Sequence, residues 1–350
     1  MREPAFWWQP RRQPLLLGPL LGPLAAAYGA VARLRLKAQG RSAGVPVICF
    51  GNFTVGGGGK TPAALAAGQL LRAAHERPFF LSRGYGGRLA GPVLVNPAVH
   101  GATDVGDEPL MLARVAPTIV ARDRVAGAAA AACGGASVVV MDDGLQNPSL
   151  RKDLAIIVVD GRRGIGNGRI FPAGPLRAPL ESQIARAHAL VLVGPPNTAA
   201  AAVAMAQRRL LPVLHGRIEA DRQSLAALTG RKIMAFAGIA DPQKFFATLA
   251  EAGLVVAERI SFADHHRYTA AEARMLLERA QAQDLLLLTT EKDHARLTGE
   301  RQLAGLAERA AVLRVRLVIE EQAWFRHLLF RALKRRSIGE KPPADTTGGC

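Results

Sequence analysis

From Val45 onward, short apolar runs alternate with longer stretches of helical spacing. Runs such as SVVVMDD, LAIIVVD and ALVLVG hold four or more consecutive apolar residues. That is the pattern of strands covered on both faces of a parallel sheet. Strands are predicted over 45–51, 78–82, 118–121, 137–142, 154–160, 189–194, 233–238, 254–260, 285–290 and 312–318. Helices are predicted between them, over 60–75, 107–115, 122–134, 198–210, 241–252, 270–282 and 320–334. Such alternation predicts an α/β fold built on a doubly wound parallel sheet. The stretch 211–231 reads as the passage into a second, smaller α/β lobe. The expected division is a main domain over 41–212 and a lobe over 213–335. The polar, Pro- and Gly-rich tail over 336–350 is expected to be disordered. No repeat of solenoid period is present.

The first forty residues break this rhythm. Phe6, Trp7 and Trp8 stand next to Arg11 and Arg12, and an uncharged run follows from Leu15 to Ala32. A spanning helix needs roughly 20 apolar residues, and Gly18-Pro19 and Gly22-Pro23 interrupt this run. A bent segment is therefore expected, with a helix from Leu24 into Arg33, Arg35 and Lys37. Three readings remain open: a segment lying in the membrane interface, a signal peptide, or an ordinary buried helix. Tryptophans and arginines beside apolar residues favour the first.

Charge adds one constraint. The 350 residues hold 45 Lys+Arg against 28 Asp+Glu, a formal charge of +17. Such a surface suits anionic partners: nucleic acid, acidic headgroups or phosphorylated substrates. Aromatics are scarce beyond the N-terminus, so no stacking platform for single-stranded nucleic acid is visible. Cys49, Cys133 and Cys350 form no CxxC pair, which argues against a zinc ribbon and for reduced thiols.

The chemistry gathers at a break in the first strand, GNFTVGGGGKTP. Strand, glycine turn, Lys-Thr and helix is the layout of a phosphate-binding loop. The strict pattern G-x-x-x-x-G-K-[ST] is met by Gly59, Lys60 and Thr61, but Thr54 occupies its first glycine position. Gly56, Gly57, Gly58 and Gly59 would present backbone N–H groups to an anion, with Thr54 and Val55 as further cofactor-binding positions of the same loop. Lys60 would reach the β and γ phosphates, and Thr61 would hold Mg²⁺. The rival reading is a glycine-rich turn with an exposed lysine. Asp142 and Asp143 end an apolar run and suit a Mg²⁺ site at the sheet rim, or simply a turn. Asp107 and Glu108 open a predicted helix, as dipole partners, as a base or as metal partners. Asp264, His265 and His266 lie in a predicted loop, where a His–carboxylate pair could activate a hydroxyl. Arg83, Tyr85 and Arg177 sit in loops suited to phosphate recognition. In LLLLTTEKDHARL, Lys292 stands out of order for a guanine-reading N/T-K-x-D element, so the segment reads as a strand-to-helix turn with a charged cap.

Taken together, GNFTVGGGGKTP, SRGYGG, GDEP, the DDGLQ run, FPAGPLR, FADHH and TEKD occur in the order found in the tetraacyldisaccharide 4′-kinases, the lipid A 4′-kinases of Gram-negative bacteria. The chain resembles that family over residues 50–293, and its hydrophobic N-terminus looks similar too. The family's loop also carries threonine at the Thr54 position. The resemblance implies a P-loop NTPase-like kinase with an N-terminal membrane-interfacial helix, at the cytoplasmic face of the inner membrane. It would use ATP and Mg²⁺ to phosphorylate the 4′-hydroxyl of an acylated glucosamine disaccharide 1-phosphate. By resemblance, Asp107 pairs with His265 to deprotonate the hydroxyl. Glu108, Asp142 and Asp143 assist the metal, with Thr61. Tyr85, Arg124 and Arg177 line the nucleotide or lipid-phosphate site. No nucleic acid and no obligate protein partner are implied. Two positions depart from the family: Asn147, where histidine is usual, and Ala178, where an acid is common. A different class, a P-loop GTPase or ATPase switch of the partitioning or metallochaperone type, remains the alternative. A basic nucleic-acid-binding protein is a second.

Overall fold

The computed structural model describes residues 3–8 and 17–337. Arg11, Arg12, the start of the apolar run at Leu15, and the tail beyond residue 337 with Cys350 lie outside the described residues. Among the described residues the strands in chain order are β1 (Val47–Gly51), β2 (Pro78–Ser82), β3 (Val93–Leu94), β4 (Thr118–Val120) and β5 (Val138–Asp142). There follow β6 (Leu154–Asp160), β7 (Ala189–Val193), β8 (Val213–Ala220) and β9 (Lys232–Ala237). The last are β10 (Val255–Ser261), β11 (Leu286–Thr290), β12 (Ala311–Leu313) and β13 (Val315–Ile319).

One sheet has the order β13-β8-β7-β6-β1-β5-β2-β4-β3. Its strands run parallel except for the outermost pairs, β13 with β8 and β3 with β4. A second sheet, β10-β9-β11-β12, is parallel throughout. The α/β class and doubly wound character expected from the apolar runs are those observed. Central strands β1, β5 and β6 are buried at every residue. Helix Lys60–Ala73 lies against them on a stripe of small residues, Ala63, Ala64, Ala67 and Gly68. A Cβ on Gly68 would stand 2.4 Å from the Phe80 ring, so only glycine lets helix and sheet approach this closely.

The expected division at residue 212/213 needs correction. β8 pairs with β7 and β13, so residues 213–220 belong to the large sheet. β8 was not expected because LHGRIEA alternates polar with apolar positions and contains a glycine. The predicted single strand 312–318 is two strands separated by Arg314: β12 completes the small sheet and β13 returns to the large one. Helix Gln322–Ser337 then packs Phe325, Leu328, Leu329 and Ala332 into the core of the large sheet beside Phe50.

Near the N-terminus the helix is Leu17–Lys37, not one that begins at Leu24. Pro19 falls in the first turn, where no N–H partner is required, and the helix passes through Pro23. Ala25, Gly29 and Leu36 face the protein, and a Cβ on Gly29 would meet Ile170 at 2.8 Å. Leu20, Leu24, Tyr28, Val31 and Leu34 form an exposed apolar stripe at spacings of three and four. None of the helices among the described residues is long and apolar enough to cross a membrane. The tryptophans are not on that stripe. Trp7 is buried, its indole donating to the Pro172 carbonyl at 3.1 Å. The Trp8 indole donates to Glu3, and the Arg163 guanidinium lies over its ring. The exposed apolar surface near the N-terminus therefore lies on the helix that follows and not on this pair.

Candidate active site

β1 and β5 are adjacent and parallel, with Phe50 opposite Asp142. The glycine loop after β1 and the carboxylates ending β5 therefore emerge at the same sheet edge. That edge is where open α/β sheets bind ligands. Gly56 and Gly59 hold φ of +95° and +84°, which other residues reach only with strain. Gly59 caps helix Lys60–Ala73 in the left-handed conformation, so the helix's positive end opens into the loop. Thr54 is buried, and Val55 N–H donates to the Pro175 carbonyl at 2.8 Å. Asn52 steadies the loop by donating to the Gly56 carbonyl at 3.1 Å.

Lys60 is not an exposed loop lysine. It is only 7% exposed, with Nζ 3.3 Å from the Gly56 carbonyl and 3.7 Å from Asp143. Burial pulls its pKa down, and the Asp143 charge opposes that pull. Thr61 Oγ1 donates to Asp142 Oδ2 at 2.8 Å. The other oxygen of Asp142 is buried without a hydrogen-bond partner. Burial and the nearby charge of Glu108 push this carboxyl up to about 7.

Asp143 behaves differently. Its backbone is left-handed, at φ +56°, which turns its side chain toward Arg177. Arg177 Nη1 lies 2.8 and 3.0 Å from the two carboxylate oxygens, and its Nε donates to the Thr54 carbonyl at 2.8 Å. Burial favours the neutral acid, but Arg177 and Lys60 outweigh it and hold the carboxyl at about 2. Arg177 thus ties the FPAGPLR loop to both the glycine loop and the aspartates. Arg124 is buried, with Nε unpartnered and Nη1 donating to the Ala121 carbonyl. Burial and the neighbouring Arg83 charge lower its pKa.

Asp107 and His265 meet across the two sheets. His265 Nδ1 is 3.2 Å from Asp107 Oδ2. Asp107 is 3% exposed, and its Oδ1 accepts from the Glu108 N–H at 2.8 Å. Burial favours its neutral form, yet the His265 hydrogen bond and the Lys292 and Arg296 charges hold it well below the usual carboxylate range. The exposed Tyr85 ring packs edge-on to His265 at 5.1 Å between centroids. His266 turns away to Glu272, 2.9 Å off, and stacks on Phe262. Asp264 stays beside its neighbour, accepting from the His265 N–H.

Glu108, expected to assist a metal, is paired with Lys292 at 2.6 Å, although its charge acts on both Lys60 and Asp142. Among the described residues no group of three or more His, Cys, Asp or Glu is arranged to hold a metal ion. The unpartnered Asp142 oxygen beside Thr61 nonetheless fits Mg²⁺. That ion commonly takes one or two carboxylates and completes its shell with phosphates and water. The ionised Asp142 is costly while that oxygen is unsatisfied. Its folded pKa lies above the unfolded value, so the metal-free protein loses stability as pH rises from about 4 toward 7. Asp142→Asn is expected to raise the melting temperature of the metal-free protein at pH 8 by about 2–4 °C or more. At pH 3 little gain is expected. Melting curves at the two pH values check it.

The two departures from the family pattern are structural here. Asn147 Oδ1 accepts from Ser149 N–H and Oγ and from Leu150 N–H, shaping the turn after DDGLQ. Ala178 is buried, and its carbonyl accepts from Gln183 at 2.7 Å. Arg296 and Lys292, which bond Asp107 and Glu108, were not expected from the sequence. The TEKD motif contained the signal for Lys292: Thr290 caps helix Glu291–Leu297, Lys292 in its first turn reaches Glu108, and Arg296 in its last turn reaches Asp107.

Residues 17–334 match the family described as Tetraacyldisaccharide-1-P 4'-kinase. The tetraacyldisaccharide 4'-kinase of Rhodopseudomonas palustris (strain BisB5) is 52% identical over 96% of this chain and 98% of its own. That of Nitrobacter winogradskyi is 51% identical, with the same coverage. The crystal structure of LpxK from Aquifex aeolicus in complex with ATP superimposes with a TM-score of 0.70 at 26% identity, covering 91% of this chain and all of that one. The alternative of a GTPase or ATPase switch is not favoured. A chain matched over almost its whole length, with the glycine loop and the DDGLQ run at one sheet edge and GDEP, FADHH and TEKD meeting across the two sheets, belongs to the tetraacyldisaccharide 4'-kinase family.

Proposed function

We propose that the glycine loop, Asp142 and the Asp107–His265 pair form one phosphoryl-transfer site. The reaction moves the γ-phosphoryl group of ATP to the 4′-hydroxyl of an acylated glucosamine disaccharide 1-phosphate, the lipid A precursor. Gly56–Gly59 and Lys60 take the triphosphate, with the helix terminus adding its partial charge. Thr61 and Asp142 hold Mg²⁺, which when bound neutralises phosphate charge. Asp143 and Arg177 fix the loop around them. His265 turns Nδ1 toward Asp107, which leaves Nε2 to accept the proton of the 4′-hydroxyl. The hydroxyl oxygen then bonds to the γ-phosphorus as the bond to ADP breaks. Arg124 and Tyr85 line the approach to the phosphates and to the sugar.

The observation that carries this reading is the meeting of Asp107 and His265, from different sheets, next to Glu108, whose charge acts on Lys60 and Asp142. Incubation with γ-labelled ATP and the disaccharide 1-phosphate tests it. Label is expected in the lipid; hydrolysis to labelled phosphate alone would contradict it.

The lipid substrate places the enzyme at a membrane surface, and we assign that contact to helix Leu17–Lys37. Its exposed apolar stripe ends at Arg33, Arg35 and Lys37, a layout suited to the cytoplasmic face of the inner membrane with its anionic headgroups. The net charge of +17 acts in the same sense. Replacing Leu24 and Val31 together by Glu is expected to move the protein from sedimenting anionic vesicles to the supernatant. Turnover on a detergent-dispersed substrate should stay nearly unchanged. Retention on the vesicles by the doubly substituted protein would assign the contact elsewhere.

A further inference from the structure

The Asp107–His265 pair is assembled from two sheets, and one buried side chain touches the supports of both partners. Arg296, on helix Glu291–Leu297, is 8% exposed. Its Nε donates to Asp107 Oδ2 at 2.7 Å. Its Nη1 donates to the Gly238 carbonyl at 2.6 Å and to Asp293 Oδ1 at 2.9 Å. The same Gly238 carbonyl accepts the backbone N–H of His265 at 3.1 Å. Asp293 is fully buried and closes the frame: it accepts from Gly238 N–H at 3.0 Å, from the Tyr268 hydroxyl at 2.9 Å and from Thr290 Oγ1 at 2.6 Å. One turn back on the helix, Lys292 reaches Glu108. Adjacent carboxylates of the large-sheet side are thus gripped by two cations of the small-sheet side.

We infer that Arg296 is a positioning residue of the phosphoryl-transfer reaction: by bonding Asp107 and the carbonyl that holds His265, it sets the alignment of the pair across the two sheets. This rests on the dyad reading above. Stability alone does not explain the arrangement. A buried ion pair is a weak source of net stability, whereas a planar guanidinium bonding three fixed acceptors gives geometric definition. Lysine keeps the charge but cannot reproduce that fork.

The test is a double-mutant cycle of R296K and H265A in the full chain, with folding checked by thermal melting. R296K is expected to lower kcat about 10- to 100-fold, the usual scale for misplacing a reacting group. KM for Mg-ATP and for the lipid should stay within about twofold. In the H265A background R296K should cost less than about twofold further, because the group it positions is gone. An R296K enzyme with wild-type kcat, or losses that add in the double variant, would overturn the inference while leaving the dyad intact. An H265A enzyme with wild-type turnover would remove the dyad reading and the inference with it. If R296K does not fold, Asp293→Asn replaces it in the cycle, since it keeps the guanidinium charge and loosens its anchor, with the same non-additivity expected.

Discussion

Lys60→Ala is expected to lower kcat on the order of 10² to 10³, the scale for removing one preorganised electrostatic donor at a transition state. Phosphoryl transfer asks a protein mainly for positioning and charge neutralisation. Lys60 already contacts the Gly56 carbonyl and Asp143 inside the loop. It is buried at the mouth of the glycine loop, within 3.7 Å of Asp143, at the first position of the helix. Holding an ammonium there costs solvation, which burial registers by depressing its pKa. A triphosphate would return that cost. Initial rates over a range of Mg-ATP concentrations should show the loss in kcat, with a smaller change in KM. A Lys60→Ala enzyme with near-normal turnover would exclude the loop as the phosphate site.

His265→Ala is expected to lower kcat by roughly 10² to 10⁴, the range for general-base catalysis, and to leave nucleotide affinity alone. His265 lies in the loop after β10, whereas the phosphate loop belongs to β1. Asp107→Asn should give a loss of similar size, because the amide no longer orients the imidazole with a charge. The two losses should not add in the double variant. In kcat/KM, where weaker binding of the triphosphate also counts, Lys60→Ala should prove at least as damaging as His265→Ala. Single-turnover rates with saturating Mg-ATP separate the two effects. Additive losses for Asp107 and His265 would show that they act independently.

Which parts of this arrangement the sequence revealed follows from the physics of each part. β1, β5 and β6 were legible because strands buried on both faces must be apolar at every position. Four consecutive glycines before Lys-Thr were legible because a chain gains nothing from them except positive φ and exposed N–H groups. β8 was hidden, since its alternating positions resemble a surface loop. The break at Arg314 was hidden too: β12 and β13 read as one apolar run, and only the pairing shows that they serve different sheets. Trp7 and Trp8 were misplaced for a related reason. A tryptophan beside arginines reads the same at a membrane interface as against Phe171 and Arg163. Asp107 and His265 were visible as candidates, but their pairing came from resemblance; the contact spans 158 positions in sequence and cannot be read from spacing. Arg296 escaped notice because a lone arginine in a helix has no local signature. Its role depends on Asp107, Gly238 and Asp293 converging from separate elements.

The central claim is that residues 56–61 grip the triphosphate on the rim that the Asp107–His265 pair faces. A crystal structure with a non-hydrolysable Mg-ATP analogue tests it most directly. The account predicts β and γ phosphates on the amides of Gly56–Lys60, metal density that Thr61 and Asp142 would hold, and His265 Nε2 facing the γ-phosphate across room for a hydroxyl. A nucleotide bound elsewhere, or one whose γ-phosphate points away from His265, would contradict it.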